Sequence, residues 1–187
     1  MKKYLKVLSI TFVSIIIIYG LFFADSWIKG NFHVITENEA YRSRQLDKQL
    51  LKYYVTKYNI KSIINLRGAE PGKQWYDEEL EVCSTYGINH YDLDMAMDKE
   101  PTKEQIKTLI GFFKTVPKPV FIHCLGGSDR TGLAATLWKM VVDKEDKRTA
   151  SKHMMFFYGH MPFGKARVLD KWLWNNEIDD NGIVVNS

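Results

Sequence analysis

The sequence predicts an α/β fold in which a mostly parallel central sheet is flanked by helices, preceded by an N-terminal membrane helix. Short β-branched segments alternate with helical ones along the chain. The longest uncharged segment lies close to the N-terminus. The 187 residues have the composition of an ordinary globular domain, 45% hydrophobic and 26% charged. This length suits one compact domain and is too short for two full-sized domains.

The N-terminal segment is apolar on all sides. Residues 7–24, VLSITFVSIIIIYGLFFA, contain no charge over 18 positions, which is near the lower length limit of a spanning helix. A signal-peptide cleavage site needs two small residues, but Ala24 is paired with the bulky Phe22. The sequence therefore favours an uncleaved anchor, with a removed signal peptide as the alternative.

Charge sets the expected orientation of this anchor. Lys2, Lys3 and Lys6 precede it, and the positive-inside rule keeps them in the cytoplasm. We expect residues 1–24 to cross the bacterial inner (cytoplasmic) membrane once. The domain of residues 25–187 then lies on the periplasmic or extracellular side.

The rest of the chain is electrically balanced. The formal net charge is +4, and 23 basic and 22 acidic side chains remain after residue 24. No cluster of Lys and Arg suited to many phosphates appears, so no nucleic-acid partner is expected. Cys83 and Cys124 cannot form a disulfide framework, and no CxxC pair indicates zinc. We expect neither a metal nor a cofactor.

The elements of the domain follow in chain order. Strands are predicted where β-branched and apolar residues cluster between turn residues, at 32–35, 40–44, 61–68, 88–94 and 118–124. Helices are predicted from apolar residues spaced by three and four, at 46–58, 74–86, 102–113, 131–142, 147–157 and 165–175. Thr102 and Gln105 predict a capping box after Pro101. Because strands and helices alternate, helices should cover both faces of the sheet.

One segment, VFIHCLGGSDRTG at 120–132, carries the chemistry. A strand is predicted to end at His123 and a helix to begin near Arg130, so the turn between them presents main-chain N–H groups at a helix N-terminus. Two adjacent glycines supply the freedom that a tight turn needs. The predicted phosphate-binding loop consists of Leu125, Gly126, Gly127, Ser128, Asp129 and Arg130.

Cys124 and Arg130 have complementary roles in this loop. The five residues between them can place the thiol at the base of the loop and the guanidinium at its rim, where it binds two phosphate oxygens. The N–H donors and the helix N-terminus favour the thiolate, which is the nucleophile. Attack on phosphorus gives a cysteinyl-phosphate, and no metal is needed because Arg130 and the N–H groups stabilise the transition state.

The loop resembles a known signature. The residues that match HCxxGxxR(S/T) are His123, Cys124, Gly127, Arg130 and Thr131. The chain is therefore similar to the cysteine-dependent protein-tyrosine phosphatase superfamily, in particular to its compact bacterial dual-specificity-like members, over about residues 31–175. The resemblance implies a protein-tyrosine phosphatase-like fold and phosphomonoester hydrolysis. It also implies that His123 holds the loop and that the Thr131 hydroxyl stabilises the thiolate.

The leaving oxygen needs a general acid on a neighbouring loop. Asp92 and Asp94 belong to a predicted strand, whereas Asp98 lies three residues before Pro101, in a position that resembles the acid loop of lipid and dual-specificity phosphatases. We predict that Asp98 is the acid, with Asp94 as the alternative. Asp129 is expected to fix the loop or to contact water.

The expected substrate is a phosphotyrosine-containing or dual-specificity protein, with a lipid-linked phosphate or phosphoinositide as the alternative. The Asp before Arg130 resembles some phosphoinositide-specific members, but the loop lacks internal lysines. Two further alternatives are a catalytically silent phosphate-binding module and a sulfur-transfer or arsenate enzyme. Intact Cys124 and Arg130 count against the first. His123, the five-residue gap and Thr131 count against the second.

Two residues outside the motif have alternative expected roles. Cys83 is expected to pack in the core, and a protective disulfide with Cys124 is the alternative. His160 lies between two predicted helices. We expect it to be structural, and the alternative is that its segment overhangs the site and helps to select the substrate.

Overall fold

A computed structural model of the chain describes residues 4, 6, 10–14, 17, 20, 24, 26–179 and 184–186. Ten of the 18 residues of the predicted anchor, residues 7–24, lie outside this set. Among the residues that are described, no helix has both the length and the apolar character needed to cross a membrane.

A five-stranded sheet forms the centre of the molecule. Its strands are β1 (His33–Thr36), β2 (Ala40–Arg44), β3 (Ser62–Asn65), β4 (Asn89–Asp92) and β5 (Val120–Cys124). They lie in the order β1-β2-β5-β3-β4. Only the β1–β2 pairing among them is antiparallel, which confirms the mostly parallel sheet. The middle strand β5 is buried along its whole length, so its carboxyl end opens between two neighbouring parallel strands, where α/β sheets bind ligands.

Helices cover both faces of the sheet, as predicted. They are α1 (Lys48–Lys57), α2 (Gln74–Tyr86), α3 (Lys103–Thr115), α4 (Asp129–Val141), α5 (Lys147–Ala150) and α6 (Arg167–Asn175). The capping box of Thr102 and Gln105 is present at the start of α3. A short antiparallel pair, β6 (Asn176–Ile178) with β7 (Val184–Asn186), lies beyond α6.

The helix predicted over 147–157 is wrong. The chain instead forms the four-residue α5 and two 3₁₀ turns, at Ser151–His153 and Phe156–Tyr158. A continuing helix would use the His153 carbonyl for its own hydrogen bonding, but that oxygen accepts a hydrogen bond from Arg42 Nη1 at 2.8 Å. The α-helix has already ended at Ala150, and this contact holds the turn that follows it against β2.

Two apolar cores lie on opposite faces of the sheet, because successive strand residues point to opposite sides. Phe121 of β5 packs with residues of α1 and α2, including Leu51 and Val82. The next residue, Ile122, packs with residues of α3, α4 and α6, including Trp138 and Leu169. The strand β5 is thus held from both sides, and its carboxyl end has a fixed position.

Candidate active site

Cys124 ends the central strand and is 3% exposed. The chain turns through residues 125–128, and α4 begins at Asp129. The first N–H groups of a helix have no acceptor within that helix and carry partial positive charge. The structure therefore has the strand, turn and helix that the motif predicts, and this turn can bind an anion.

Gly127 lets the turn pass close to the neighbouring strand. Its φ is +69°, in the left-handed region. A Cβ at this position would lie 2.6 Å from the Ser43 carbonyl oxygen, and the backbone nitrogen of Arg44 would be closer still. A side chain here would collide with the backbone of β2, so the loop requires glycine for two independent reasons.

Two main-chain carbonyl groups hold one end of the Arg130 guanidinium. Its Nη1 donates to the carbonyl oxygens of Leu66, at 3.1 Å, and Met95, at 2.9 Å, which follow β3 and β4. Its Nε is buried and has no hydrogen-bond partner among the described residues. The guanidinium is thus fixed by two neighbouring segments while its Nε edge remains able to donate to an anion.

Unpartnered donors and acceptors concentrate around this loop. Burying a polar atom without a partner is costly, and such atoms are rare in folded proteins. In the described part of the chain, the buried side-chain atoms without a partner are Arg42 Nε, Arg44 Nε, His123 Nδ1, Arg130 Nε and Thr131 Oγ1. All five belong to β2, to the end of β5 or to the start of α4. This concentration indicates that the loop is built for a polar ligand.

Arg42, on the neighbouring strand β2, supports the loop through a hydrogen bond. It is fully buried on β2, and its Nη2 donates to the Gly127 carbonyl oxygen at 2.7 Å. The ring of Tyr158 lies 4.3 Å from its guanidinium carbon. Burial lowers the pKa of Arg42 to about 10, so the side chain stays charged at neutral pH. Arg42 lies outside the HCxxGxxR(S/T) signature, and no role was predicted for it; the sequence signal is an arginine within the predicted strand 40–44.

Glu79 fixes the histidine of the motif. His123 Nε2 lies 3.1 Å from Glu79 Oε1, and His90 Nε2 lies 2.8 Å from the same oxygen. Gln45 donates to the other carboxylate oxygen at 3.0 Å. Burial by itself would raise the pKa of Glu79, but the two imidazoles hold it below its ordinary value. The sequence signal for Glu79 is a carboxylate on the apolar face of α2, three residues before Val82. The role of Glu79 beside His123 is not among the sequence-based predictions.

A second buried network holds Asp129. His160 is fully buried; its Nδ1 lies 2.7 Å from Asp129 Oδ1 and its Nε2 lies 3.0 Å from Asp170 Oδ2. Burial by itself would lower the pKa of His160, but the carboxylates of Asp129 and Asp170 raise it above its ordinary value. Asp129 is thus tied to α6 through His160, which agrees with the expected loop-fixing and structural roles.

The candidate acids differ in their surroundings. Asp92 accepts hydrogen bonds from Tyr76 at 2.6 Å and from Asn65 at 2.7 Å, which is a structural role. Asp94 and Asp98 are both exposed between β4 and α3. Asp98 lies three residues after Met95, whose carbonyl oxygen binds Arg130, so its loop adjoins the site. The assignment of the acid to Asp98 stays a prediction.

The two cysteines lie on opposite faces of the sheet. Both are free. Cys83 packs in the core beneath α1 and α2, whereas Cys124 belongs to the core beneath α3, α4 and α6. Burial raises the pKa of the Cys83 thiol to about 12. Because the sheet lies between the two thiols, the structure gives the protective disulfide no support and favours the packing role of Cys83.

The fold and the loop together define a compact cysteine-dependent phosphatase of the protein-tyrosine phosphatase and dual-specificity class. The model of the family described as DSP-PTPase phosphatase fused to NAD+ kinase matches residues 28–163. The chain belongs to this family. No curated protein matches the sequence at a significant level.

Solved structures share the fold. TpbA from P. aeruginosa, solved as a cysteine-to-serine variant in complex with pTyr, has a TM-score of 0.61 at 17% identity, covering 77% of this chain and 83% of that chain. Tk-PTP in its active form has the same TM-score and identity, with 77% and 97% covered. PTPMT1 has a TM-score of 0.59 at 15% identity, with 76% and 94% covered. At these identities the likeness concerns the fold alone.

Proposed function

We propose that the protein hydrolyses phosphomonoesters through a phosphorylated Cys124. The observation that carries the proposal is the half-buried Arg130 guanidinium, which two carbonyl oxygens fix through Nη1 while its buried Nε has no partner among the described residues. A phosphate on the loop would accept from this free edge and from the N–H groups of the turn.

The reaction has two steps. In the first, Cys124 Sγ attacks phosphorus, an S–P bond forms, and the P–O bond to the leaving group breaks. The leaving oxygen takes the electron pair of that bond and a proton from Asp98. In the second, the Asp98 carboxylate takes a proton from water, the water oxygen attacks phosphorus, and the S–P bond breaks to release inorganic phosphate. Arg130 and the loop N–H groups stabilise the charge on the non-bridging oxygens in both steps.

The remaining residues keep this geometry. Glu79 orients the His123 ring behind the nucleophile, Arg42 holds the Gly127 carbonyl, and His160 holds Asp129. Groups that are fixed before the substrate binds need no reorganisation during the reaction. The intact pair of Cys124 and Arg130 favours an enzyme over a silent phosphate-binding module.

Anchoring and substrate choice belong to the same proposal. We infer that residues 7–24 tether the domain to the membrane, because they form an uncharged 18-residue segment. A phosphoprotein substrate has support from TpbA, whose structure holds phosphotyrosine. The chemistry at phosphorus is the same for a lipid-linked phosphate, so the loop itself does not discriminate between the two substrate classes.

The acid is tested by comparing leaving groups. In the full chain, Asp98→Asn should lower turnover of phenyl phosphate by about 100-fold or more, because its leaving oxygen needs a proton. Turnover of p-nitrophenyl phosphate should fall much less, because that leaving group departs as a stable anion. Asp94→Asn is the matched control and should retain turnover of both substrates. The reverse pattern would assign the acid to Asp94, and phosphate binding without turnover in the unmodified protein would support the silent module.

A further inference from the structure

Three exposed apolar side chains lie in or beside the catalytic loop, and we name them the apolar rim: Leu125 in the loop, with Trp27 and Phe157 beside it. Trp27, Leu125 and Phe157 are 69%, 59% and 53% exposed. Trp27 and Phe157 line one cavity of about 280 Å³ together with Gly126 and Ser128 of the loop. Leu125 precedes Gly126 directly. Large exposed apolar side chains that gather at one place mark an interaction surface.

Asn31 locks the rim to the loop. This side chain is 9% exposed, and its Nδ2 donates to the carbonyl oxygens of Gly126, at 3.1 Å, and Tyr158, at 3.0 Å. Its Oδ1 accepts from Ser26 Oγ at 3.3 Å. One buried amide thus joins the segment that carries Trp27, the catalytic loop and the turn that carries Phe157. The rim therefore has a fixed position relative to Cys124.

The chain itself indicates what covers the rim. The uncharged segment 7–24 ends three residues before Trp27, and three residues span at most about 11 Å. If that segment lies in a bilayer, the rim lies at the bilayer surface. Tryptophan and other aromatic side chains favour this interface, and the Arg44 guanidinium, which lines the same cavity, suits an anionic headgroup.

We propose that the apolar rim rests on the bilayer and that the substrate is a phosphomonoester carried by a membrane lipid. The inference rests on the proposed function, because it uses the same Cys124 chemistry, and it adds the substrate class. A rim in contact with lipid places the mouth of the loop at the depth of lipid phosphates. The hydrolysis products are inorganic phosphate and a lipid alcohol.

The test uses the full chain reconstituted in phosphatidylcholine vesicles that contain a minor fraction of phosphatidic acid, with p-nitrophenyl phosphate as the soluble substrate. Replacing both rings, in Trp27→Ser with Phe157→Ser, should lower phosphatidic acid hydrolysis by about tenfold or more, because two apolar contacts with the bilayer are lost. Hydrolysis of p-nitrophenyl phosphate should stay within about twofold, since neither ring takes part in the chemistry. The matched control is Tyr86→Ser, whose ring is 46% exposed at the end of α2 and at the opposite edge of the sheet; it should change neither activity.

A second measurement does not depend on activity. The unmodified chain already contains five tryptophans, so the quantity compared is the fluorescence that brominated phosphatidylcholine quenches beyond that of the unmodified chain. Phe157→Trp should raise the quenched emission, and Tyr86→Trp should add only unquenched emission. Residue 157 is far from the anchor in sequence. Quenching of a tryptophan at this position therefore shows that the apolar rim contacts the bilayer, and not merely that residues 7–24 are inserted in it.

The outcomes separate the two proposals. Equal quenching at both sites, an unchanged lipid activity in the double variant, or cleavage of phosphotyrosine peptide and p-nitrophenyl phosphate without any cleavage of phosphatidic acid would overturn the lipid inference and leave the proposed function in place. Absence of turnover on all of these substrates by the unmodified protein would instead overturn the proposed function.

Discussion

Gly127 and Arg130 show how individual residues adapt the loop to the strands around it. The glycine passes against the backbone of β2, and the arginine binds the carbonyl oxygens that follow β3 and β4. Both residues belong to a local motif, so the sequence predicts them. Arg42 and Glu79 serve the same loop through contacts with residues 85 and 44 positions away, and no local pattern predicts contacts of that range.

Gly127→Ala should disable the loop. The added methyl group would collide with the backbone of β2. The alanine would also have to adopt a φ of +69°, which side-chain-bearing residues rarely do. We expect turnover to fall by at least about 100-fold and the free energy of unfolding to fall by about 2–4 kcal/mol.

Gly72→Ala is the matched control. Gly72 has φ +85°, but no atom lies within 4 Å of a Cβ there. In Gly72→Ala, backbone strain should lower the free energy of unfolding by about 1 kcal/mol, and turnover should be unchanged. Denaturant unfolding and p-nitrophenyl phosphate assays on both variants measure this, and equal effects would contradict the steric account.

Arg130→Lys should retain the fold and lose the reaction. Lysine keeps the charge but cannot bind two carbonyl oxygens with one edge and phosphate oxygens with the other. Turnover should fall by about 1000-fold, while binding of inorganic phosphate, measured by calorimetry, should weaken far less. A lysine variant with near-normal turnover would show that the planar guanidinium is not required.

At the scale of elements, two buried networks tie helices to the loop. Glu79 joins α2 to the end of β5, and His160 joins α4 to α6. The bounds of most elements follow from apolar spacing and caps, as the capping box of α3 shows. The helix expected over 147–157 ends at Ala150, and Arg42 donates to the His153 carbonyl in the turn that follows, a contact that no spacing pattern predicts.

The His160 network makes stability depend on pH. Because the pKa of His160 is raised in the fold, its contribution is complete below the unfolded value near 6.5 and is lost as pH rises through the folded pKa. His160→Gln should therefore lower the free energy of unfolding by about 3 kcal/mol at pH 6, with a smaller loss at pH 9.

His33→Gln is the control for this experiment. Burial, followed by the charge of Arg42, lowers the pKa of His33 to about 4, so His33 is neutral throughout that pH range. The unfolded His33 takes up a proton near pH 6.5 while the folded one does not, so the loss of stability in His33→Gln should be smaller at pH 6 than at pH 9, by about 1 kcal/mol or less, which is the opposite trend to His160→Gln. Denaturant unfolding at both pH values measures the two differences. A His160→Gln effect that is constant or grows with pH would contradict the charged network.

At the scale of the whole molecule, the strand order decides where the chemistry lies. With β5 between β2 and β3, the ends of three parallel strands meet at the loop. The alternation of strands and helices predicts this class of sheet, and the motif predicts which strand is central to function. The position of Cys83 across the sheet depends on which face α2 covers, which the sequence pattern leaves open.

The separation of the cysteines predicts how the protein responds to oxidants. With the cysteines in cores on opposite faces of the sheet, we expect that Cys83 does not act as a disulfide partner of Cys124. Mild peroxide should inactivate the protein, and thiol reductant should restore the same fraction of activity in Cys83→Ser as in the unmodified chain. Peptide mass spectrometry should find iodoacetamide on Cys124 and not on Cys83, because burial raises the pKa of the Cys83 thiol to about 12 and the thiolate is the reactive form. A loss of rescue in Cys83→Ser would show that the two thiols meet.

The most direct test of the central claim is mass spectrometry of the full chain quenched in acid during turnover of p-nitrophenyl phosphate. The peptide that contains Cys124 should carry a phosphate on sulfur, and the adduct should be absent from Cys124→Ser. Continued turnover with no phosphorylated thiol at position 124, or with the phosphate on another residue, would contradict the mechanism.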